Sequence, residues 1–329
     1  MNIVIMGAGA IGSLFGGMME MAQPGAVTLI ARQPHVEVIK KNGLQIKGVV
    51  GETVLDINAE TSANGIAEAD VVFITTKAYD SVAAARKIKH LIDNGAYVVV
   101  VQNGLGTENQ IAKVLGSRRV LRATTCMGAI LESPGVVNAT GEGITEIGSH
   151  YPENSELIKM TVELINDANI KTRGSENIEG VVWTKTIVNC GINPIGAITD
   201  MKNGEVYSSA VLRELVIKLV EETVEVVKAL GIELTTTDPI RYTLGTAKAT
   251  ANNTNSMLQD IKARKRTEIE TITGAVVKMA HKLGLETPTS EAVYALVKAI
   301  EAKYLENEDV PDEDITMATD ELIKTLSTH

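Results

Sequence analysis

A glycine-rich turn near the start of the chain constrains its fold most strongly. A short apolar run, Asn2–Met6, meets glycines at positions 7, 9 and 12, and an apolar helical pattern begins there. This is the G-x-G-x-x-G spacing of a strand, a tight turn and a helix. Gly7 allows the sharp exit from the strand, Gly9 lets a phosphate approach the backbone, and Gly12 lets the helix pack on the sheet. The sequence therefore predicts a dinucleotide-binding unit with its phosphate at the helix start, the alternative being a turn used only for close packing.

The end of the second predicted strand indicates which dinucleotide is bound. The strand Val27–Ala31 ends at Arg32, and no acidic residue follows until Glu37. An acid at this place binds the 2′-hydroxyl of NAD, whereas a basic residue suits the 2′-phosphate of NADP. A guanidinium can hold a phosphate through two parallel hydrogen bonds. We therefore predict NADP as the cofactor; the alternatives are that Arg32 is a solvated loop charge or stacks on the adenine.

Polar residues follow two further strands of the predicted sheet. Lys77 comes directly after Val71–Thr76, and Asn103 follows the strand Tyr97–Val101. Carboxyl ends of parallel strands line the ligand crevice of doubly wound sheets. Lys77 and Asn103 are therefore candidate site residues, the alternatives being a helix-start lysine in water and a turn-forming Asn-Gly pair.

The rest of the first half predicts more of the same α/β architecture. Alternation in Leu44–Gly48 and Thr53–Ile57 predicts a hairpin insertion, and Val120–Cys126 continues the sheet. Val136–Asn138 and Ile144–Ile147 are expected to form an antiparallel edge hairpin. A polar, glycine-bearing segment at 173–177 then marks the domain boundary. The predicted domains are a Rossmann domain at 1–174 and a helical domain at 175–329.

The second half has a helical pattern with few strand signals. The predicted helices are Val211–Leu230, Thr267–Leu283, Ser290–Leu305 and Asp312–Thr328. The first of these has a wide apolar face, which could be buried within the domain or against a second copy of the chain. A homodimer is the expectation that follows.

One apolar helix of the second half breaks the local rules. Lys185, Asn189 and Asn193 recur every four residues and so lie on one stripe of an otherwise apolar helix. Pro194 cannot donate to the carbonyl of Cys190 and should open that turn. Such violations tend to mark functional sites; the alternative is a polar seam that faces the other domain through water.

Two further segments have capping-box spacing, from Ser256 to Gln259 and from Thr267 to Glu270. On spacing alone Ser256 is an N-cap, and Glu268 is a first-turn acid that the helix dipole favours.

Composition excludes several functional classes. The net charge is −10, from 31 basic and 41 acidic residues, and aromatic residues make up only 3%. A nucleic-acid partner is therefore not expected, because both the basic footprint and the stacking platforms are missing. Neither a bilayer-length apolar run nor a signal peptide is evident, which favours a cytoplasmic location and no membrane partner. Cys126 and Cys190 lack metal-ligand spacing, so no metal is expected.

The chain resembles the ketopantoate reductases (2-dehydropantoate 2-reductases) along nearly its whole length. The matching segments are Gly7–Gly12, Thr76–Ala78, Gln102–Gly106, Lys185–Pro194, Asn203–Glu205, Asn255–Asp260 and Thr267–Ile269. The resemblance implies NADPH-dependent reduction of ketopantoate to pantoate, a step of pantothenate and coenzyme A biosynthesis. It also implies a Rossmann domain followed by an all-helical domain like that of 6-phosphogluconate dehydrogenases, with the site in the cleft.

The resemblance also assigns roles to individual residues. Lys185 matches the proton donor, and Asn103 matches a residue that touches both nicotinamide and substrate. Lys77, Ala129 and Glu268 match positions near the cofactor and the catalytic centre. The remaining matched positions are the cofactor-binding turn Gly7, Ala8, Gly9, Ala10, Ile11 and Gly12 and the substrate contacts Asn189, Asn193, Asn203 and Ser256.

The chemistry of ketone reduction agrees with these roles. Hydride delivery builds negative charge on the carbonyl oxygen, so a positioned acid must protonate it. A lysine in a half-dry cleft has a lowered pKa, which Glu268 would oppose while orienting the ammonium. Two rival functions remain: a related NAD(P)-dependent reductase of another 2-keto or β-hydroxy acid, and a non-enzymatic NADP-binding redox sensor.

Overall fold

A computed structural model describes residues 1–305 and divides them into two compact units. The first unit comprises residues 1–102 and 107–178, and the second comprises Asn103–Gly106 and the chain from Glu179 onward. The main division after Ile178 lies close to the predicted domain boundary. The helix predicted at Asp312–Thr328 lies outside the described residues.

The strands found in residues 1–305 all belong to the first unit. They are β1 (Ile3–Met6), β2 (Val27–Ile30), β3 (Leu44–Gly48), β4 (Thr53–Leu55), β5 (Asn58–Glu60), β6 (Val71–Ile74), β7 (Tyr97–Val100), β8 (Val120–Thr125), β9 (Gly128–Ser133), β10 (Val136–Gly141), β11 (Thr145–Gly148) and β12 (Thr172–Gly174). Its helices are α1 (Ala10–Ala22), α2 (Gln33–Asn42), α3 (Ser81–Asp93), α4 (Thr107–Leu115) and α5 (Ser155–Asp167).

Eight strands form the main sheet, in the order β5-β2-β1-β6-β7-β8-β11-β12. The strands from β5 to β8 are parallel to one another, β11 is antiparallel to β8, and β12 is parallel to β11. From β1 the chain adds β2 and then β5 toward one edge of the main sheet. From β6 it adds the remaining strands toward the opposite edge. The carboxyl ends of β1 and β6 therefore flank the topological switch point, where doubly wound sheets bind their ligands. The predicted Rossmann architecture is confirmed.

Alternation within each central strand builds a core on both faces of this sheet. Ile3, Ile5 and Phe73 join one apolar cluster with α1 and α5. Val4 and Val72 join the other cluster with α3 and α4. Both faces are covered because parallel strands are connected through helices, and the central strands are consequently buried along their whole length.

A second sheet of four strands, in the order β4-β3-β10-β9, corrects one prediction. The hairpin of β3 and β4 is confirmed, because the two pair antiparallel. The hairpin predicted between Val136–Asn138 and Ile144–Ile147 is wrong. β10 pairs antiparallel with β9 and parallel with β3, whereas β11 pairs with β8 in the main sheet. Both strands alternate correctly, but alternation does not specify a pairing partner, and burial of Val137 against α1 selects the other sheet.

Helix α1 is packed between the two sheets through adjacent glycines. A Cβ on Gly16 would collide with Leu29 and touch Ile5 of the main sheet, and one on Gly17 would collide with Ile46 of β3. The prediction that small residues let this helix approach the main sheet is confirmed, while the contact on the opposite side had no signal in the G-x-G-x-x-G motif.

The second unit is helical. Its helices in the described residues are α6 (Ile178–Thr199), α7 (Asn203–Ser208), α8 (Ala210–Ala229), α9 (Pro239–Ala249), α10 (Ser256–Lys262), α11 (Thr273–Leu283) and α12 (Pro288–Glu301). None of the helices in the described chain is long and apolar enough to span a membrane. The helix predicted from Thr267 begins only at Thr273, since residues 267–272 are irregular.

Candidate active site

The glycine-rich turn has the geometry that its spacing predicts. Gly7 has a φ of +101°, and a Cβ there would lie 2.7 Å from the backbone nitrogen of Thr76. The hydroxyl of Thr75 donates to the Gly7 carbonyl at 2.9 Å. Glycine is required at position 7 because the ends of β1 and β6 pass so closely at the switch point.

The surroundings of Gly9 fit a bound phosphate. A Cβ on Gly9 would meet only the Gly7 carbonyl oxygen, at 3.9 Å, so the space beside this Cα is open. Ala10, Ile11 and Gly12 form the first turn of α1, and no side chain caps that turn. The backbone N–H groups of Gly7 and Ala8 instead donate to Ile30 at 3.1 and 2.8 Å, which ties the turn to β2. An open backbone cradle at an uncapped helix start matches the donor set that a pyrophosphate needs.

A buried histidine, which the sequence did not suggest, supports this turn. The Gly135 N–H donates to Nδ1 of His35 at 2.9 Å, so the proton of the neutral ring lies on Nε2, which donates to the Ser13 hydroxyl at 3.0 Å. Ser13 donates in turn to the Ala8 carbonyl at 3.3 Å. Burial lowers the pKa of His35, which favours this neutral form.

Arg32 and Lys77 lie at carboxyl ends of the strands that flank β1. Arg32 follows β2 as the N-cap residue of α2, with an exposed side chain. The acid next along the chain, Glu37, accepts from Gln33 at 2.7 Å within the same helix turn. Lys77 follows β6, is half-buried and precedes a short 3₁₀ turn at Ala78–Asp80. Both residues therefore lie at the sheet edge that the sequence predicted.

Ala129 lies elsewhere in the first unit. It belongs to β9 and pairs with Ala139 of β10, so it is part of the four-stranded sheet. Cys126 is exposed.

The polar stripe of the second unit lies along α6, and the helix continues through Pro194 to Thr199. Lys185 and Asn189 are half-buried, and Asn193 is 6% exposed. Gly191, on another side of the helix, packs against α8 and α9. Because the Gly191 side of α6 is packed against other helices, the stripe of Lys185, Asn189 and Asn193 forms the polar side of α6.

The stripe ends beside the start of α10. Gly196 follows Asn193 by three residues, and a Cβ on it would collide with the side-chain nitrogen of Asn255. Asn255 is the N-cap of α10, because its side chain accepts from the Leu258 N–H at 3.0 Å. Ser256 is therefore the first helical residue, half-buried, and its predicted N-cap role is wrong.

Asn203 is placed by the segment that leads into α10. Its backbone N–H donates to Asn253 at 3.1 Å, and its side-chain amide donates to the Thr250 hydroxyl at 2.8 Å. The side-chain oxygen of Asn203 is buried without a protein partner. The start of α7 is thus hydrogen-bonded to the segment that leads into α10, while Asn255 at the start of α10 packs against Gly196 near the end of α6.

The second unit brings Asn103 and Glu268 together. The side-chain amide of Asn103 donates to Glu268 at 3.3 Å, and the Leu105 N–H donates to the Thr271 carbonyl at 3.1 Å. Glu268 is 5% exposed. The pairing of this buried carboxylate with an amide is a contact that spacing alone did not show.

Glu268 is not the first-turn acid that its spacing suggested. The Thr267 N–H donates to Glu301 of α12 at 2.6 Å, and the Thr267 hydroxyl accepts from the Ile269 N–H at 3.2 Å. Ile269 packs in an apolar cluster with Ala197 of α6 and Met257 of α10. Tertiary contacts hold this segment out of the helix and fix Glu268 relative to α6 and α10.

Comparison with known proteins identifies the family. Two family models match, "Ketopantoate reductase PanE/ApbA" over residues 3–152 and "Ketopantoate reductase PanE/ApbA C terminal" over residues 177–301. A 2-dehydropantoate 2-reductase of Pyrococcus horikoshii is 41% identical over 305 residues, which cover 92% of this chain and 98% of that protein.

Solved structures give the same picture. The ternary structure of D-mandelate dehydrogenase with NADH and anilino(oxo)acetate has a TM-score of 0.86 at 27% identity, covering 92% of this chain and 99% of the other. A ketopantoate reductase of the PanE/ApbA family from Ralstonia eutropha JMP134 has a TM-score of 0.84 at 28% identity, covering 92% and 99%. The chain therefore belongs to the ketopantoate reductase family.

Proposed function

We propose that the chain reduces ketopantoate to pantoate with NADPH, as a step of pantothenate and coenzyme A biosynthesis. The observation that carries this proposal is the convergence, within the second unit, of a lysine-bearing polar stripe with the polar starts of α7 and α10. When bound, NADPH supplies the hydride. The open turn at Gly9 and the exposed Arg32 would hold its pyrophosphate and 2′-phosphate.

Lys185 is the proton donor in this proposal. Hydride transfer turns the 2-keto oxygen into an alkoxide, and an ammonium near that oxygen both stabilises the charge and gives up a proton. Glu268 orients this ammonium and helps to retain its charge. The hydrogen bond from Asn103 in turn fixes the Glu268 carboxylate.

The neutral polar groups bind the substrate. Amide and hydroxyl groups of Asn189, Asn193, Asn203 and Ser256 can hydrogen-bond a carboxylate and a hydroxyl without adding a fixed charge beside Lys185. The unpartnered side-chain oxygen of Asn203 offers an acceptor for the substrate hydroxyl. Binding by neutral groups leaves Lys185 as the cationic group that responds to the reacting oxygen.

A second candidate is reduction of a different 2-keto acid. The similarity to D-mandelate dehydrogenase favours it, because that protein shares the fold and is more than a quarter identical in sequence. Mandelate is a 2-hydroxy acid, so its oxidised form is also a 2-keto acid. The two candidates share their chemistry and differ in the side chain that the pocket accepts.

One assay separates these candidates and also tests the redox-sensor alternative. NADPH oxidation is followed with ketopantoate, phenylglyoxylate and pyruvate, each at several concentrations. We expect the highest kcat/KM with ketopantoate. A higher value with phenylglyoxylate would favour the second candidate, and absence of turnover with every acid would contradict an enzymatic role.

The decisive variant is Lys185→Ala. We expect it to lower kcat by roughly 10² to 10⁴-fold, the range for a positioned proton donor, with a similar loss in kcat/KM. The affinity for NADPH should stay near native, because the first unit supplies the turn that binds it. Lys185→Arg should restore little activity, since a guanidinium hardly releases its proton.

A matched control is Lys228→Ala. Lys228 is an exposed lysine on α8 that pairs with Glu225 at 2.8 Å, and its loss should leave kcat unchanged. Near-native kcat in the Lys185→Ala variant would show that another group donates the proton, and Glu268 would be tested next.

We also propose that the enzyme acts in the cytoplasm as a homodimer and without a nucleic-acid partner. Both cysteines are free thiols, as is usual for proteins of reducing compartments. The acidic net charge of −10 disfavours binding to nucleic acid.

A further inference from the structure

A buried glutamine joins the ends of β6 and β7 in the first unit. Gln102 is 4% exposed and follows β7. Its side-chain nitrogen donates to the carbonyl and hydroxyl oxygens of Thr76, each at 3.0 Å, and lies 3.2 Å from the Lys77 carbonyl. Its side-chain oxygen accepts from the Ser81 hydroxyl at 2.9 Å. A single amide therefore fixes the chain from Thr76 to the start of α3.

The atoms that Gln102 holds form one wall of the glycine-rich turn. Thr76 is the residue against which Gly7 packs without room for a Cβ. Lys77 is the candidate cofactor-binding lysine at the end of β6. A displacement of Thr76 would therefore move both the wall of the turn and the backbone that carries Lys77.

The backbone of Gln102 is fixed as well. Arg122, 1% exposed in β8, donates to the Gln102 carbonyl at 2.7 Å and pairs with the buried Glu108 at 3.3 Å. Burial alone would raise the pKa of Glu108, but Arg122 and His150 outweigh it and lower that pKa to about 2. Arg122 is thus charge-compensated, and Gln102 is held from both its side chain and its main chain.

The contacts require an amide at this position. The amide nitrogen meets oxygens of Thr76, while the amide oxygen meets the hydroxyl of Ser81. A carboxylate of the same shape would place an acceptor oxygen against the acceptor oxygens of Thr76. An apolar side chain would leave several buried polar groups without a hydrogen bond.

We propose that Gln102 is a positioning residue for NADPH binding, which acts by fixing Thr76 and Lys77 against the glycine-rich turn. This inference rests on the proposed use of NADPH and goes beyond it by assigning a residue that does not itself touch the cofactor. It does not depend on which 2-keto acid is the substrate.

The same unit offers a matched control in Asn154. This buried amide donates to the carbonyls of Arg118 and Val120 at 2.8 and 3.3 Å and to the Ser149 hydroxyl at 2.9 Å. It is 1% exposed, and its hydrogen bonds lie at the amino end of β8, whereas Gln102 follows the carboxyl end of β7. Loss of its hydrogen bonds should cost stability without touching the cofactor-binding edge.

The test compares Gln102→Met with Asn154→Leu, two changes that keep side-chain size and remove the amide. The dissociation constant for NADPH is measured by fluorescence without substrate, and unfolding is followed by calorimetry. Gln102→Met should raise the NADPH dissociation constant about tenfold, and the KM for NADPH with it. The kcat at saturating NADPH should change less. Asn154→Leu should lower the unfolding temperature and leave the dissociation constant near native.

Gln102→Asn supplies a milder variant in case Gln102→Met does not fold. It keeps the amide on a side chain one methylene shorter and should raise the dissociation constant by a smaller factor. Native NADPH affinity in a folded Gln102 variant, or an equal loss of affinity in Asn154→Leu, would overturn the proposal. A native protein that does not bind NADPH would contradict the proposed cofactor, whereas failure with ketopantoate alone would leave this test intact.

Discussion

Arg32 occupies the position that distinguishes NADP from NAD in this fold. Its side chain is exposed at the start of α2, and the acidic side chain next along the chain is occupied by Gln33. A cation without an adjacent acid suits the 2′-phosphate of NADPH. The similar D-mandelate dehydrogenase structure contains NADH, so the preference is a property to be measured on this chain.

Arg32→Asp should weaken NADPH binding by roughly 10- to 100-fold, the range expected when a charged hydrogen-bonding partner is lost. NADH affinity should change much less, because NADH lacks the 2′-phosphate. Titration of the native protein and the variant with both cofactors measures the effect. Equal losses for the two cofactors, or a native preference for NADH, would show that Arg32 does not read the phosphate.

The buried His35, which supports the glycine-rich turn, is expected to make the stability of the folded protein depend on pH. Its neutral ring accepts from Gly135 and donates to Ser13, and burial holds its folded-state pKa below the ordinary value of 6.5. A lowered folded-state pKa gives a stabilisation that is present above about pH 6.5. It is lost as the pH falls through the folded-state value, since the protonated ring can no longer accept from Gly135.

Unfolding temperatures should therefore fall more steeply for the native protein than for His35→Gln as the pH is lowered from 7 to about 5. Glutamine keeps a donor and an acceptor at this position but does not titrate. Calorimetry of both proteins across this range checks the expectation. Parallel pH profiles would mean that His35 does not contribute.

Sequence reasoning singled out some of these candidate residues and could not single out others, for a physical reason. Lys185, Asn189 and Asn193 could be predicted because they interrupt an apolar helix at a regular interval. Glu268 and Ser256 could not be distinguished from capping residues, because both uses follow the same short spacing. Glu268 meets its partner Asn103 across 165 residues of sequence, and such a contact leaves no periodic signal.

Among the structural elements, the β1–α1 turn shows how neighbouring glycines serve different purposes. Gly7 is required by the fold, because its φ is +101° and Thr76 lies against it. Gly9 has no positive φ, and a Cβ there would meet only the Gly7 carbonyl oxygen, at 3.9 Å, so contacts within the folded chain do not require a glycine there. We attribute its place in the motif to the phosphate that the turn is proposed to bind.

Gly9→Ala should therefore fold normally but bind NADPH at least about tenfold more weakly, because the added methyl group would fill the phosphate cradle. Gly7→Ala should lower the free energy of unfolding by more than about 1 kcal/mol, because the φ of this residue is positive and the added methyl group would meet the backbone of Thr76. Denaturant unfolding and cofactor titration of both variants separate the two effects. Native NADPH affinity in Gly9→Ala would contradict the placement of the phosphate.

The elements also show the limit of pattern reasoning. Strand positions and the β3–β4 hairpin could be predicted from alternation and turn residues. The pairing of β10 and β11 with different sheets could not, since it depends on which surfaces of α1 and β8 remain to be covered. The start of α11 was misplaced for a similar reason, because Glu301 holds Thr267 outside the helix.

At the scale of the whole molecule, the predicted homodimer stays a prediction. Most of the apolar face of α8 is buried in this chain, including Val216, Leu219, Val220, Val226 and Val227. Val211, at the start of the helix, is 75% exposed and is available to a second copy. A dimer formed through α8 would therefore bury a smaller surface than the sequence suggested.

Light scattering at micromolar concentration should give twice the mass of one chain, and Val211→Asp should shift the population towards monomer by placing a charge in the apolar contact. Glu221→Gln, an exposed change on the same helix, should have no such effect. A native protein that scatters as a monomer would contradict the prediction.

The segment Asn103–Gly106 limits where the halves of such proteins can be exchanged to make chimeras. These four residues lie within the first half of the sequence, yet they belong to the second compact unit, where Asn103 meets Glu268 and Leu105 meets Thr271. A gene fragment encoding only the helical half would lack Asn103, whose side-chain amide donates to the buried Glu268 carboxylate. Exchanging halves between relatives would bring together an Asn103 and a Glu268 from different lineages. Residues 103–106 and the helical half therefore have to remain compatible. A chimera would need its junctions placed on both sides of this four-residue segment as well as after Ile178.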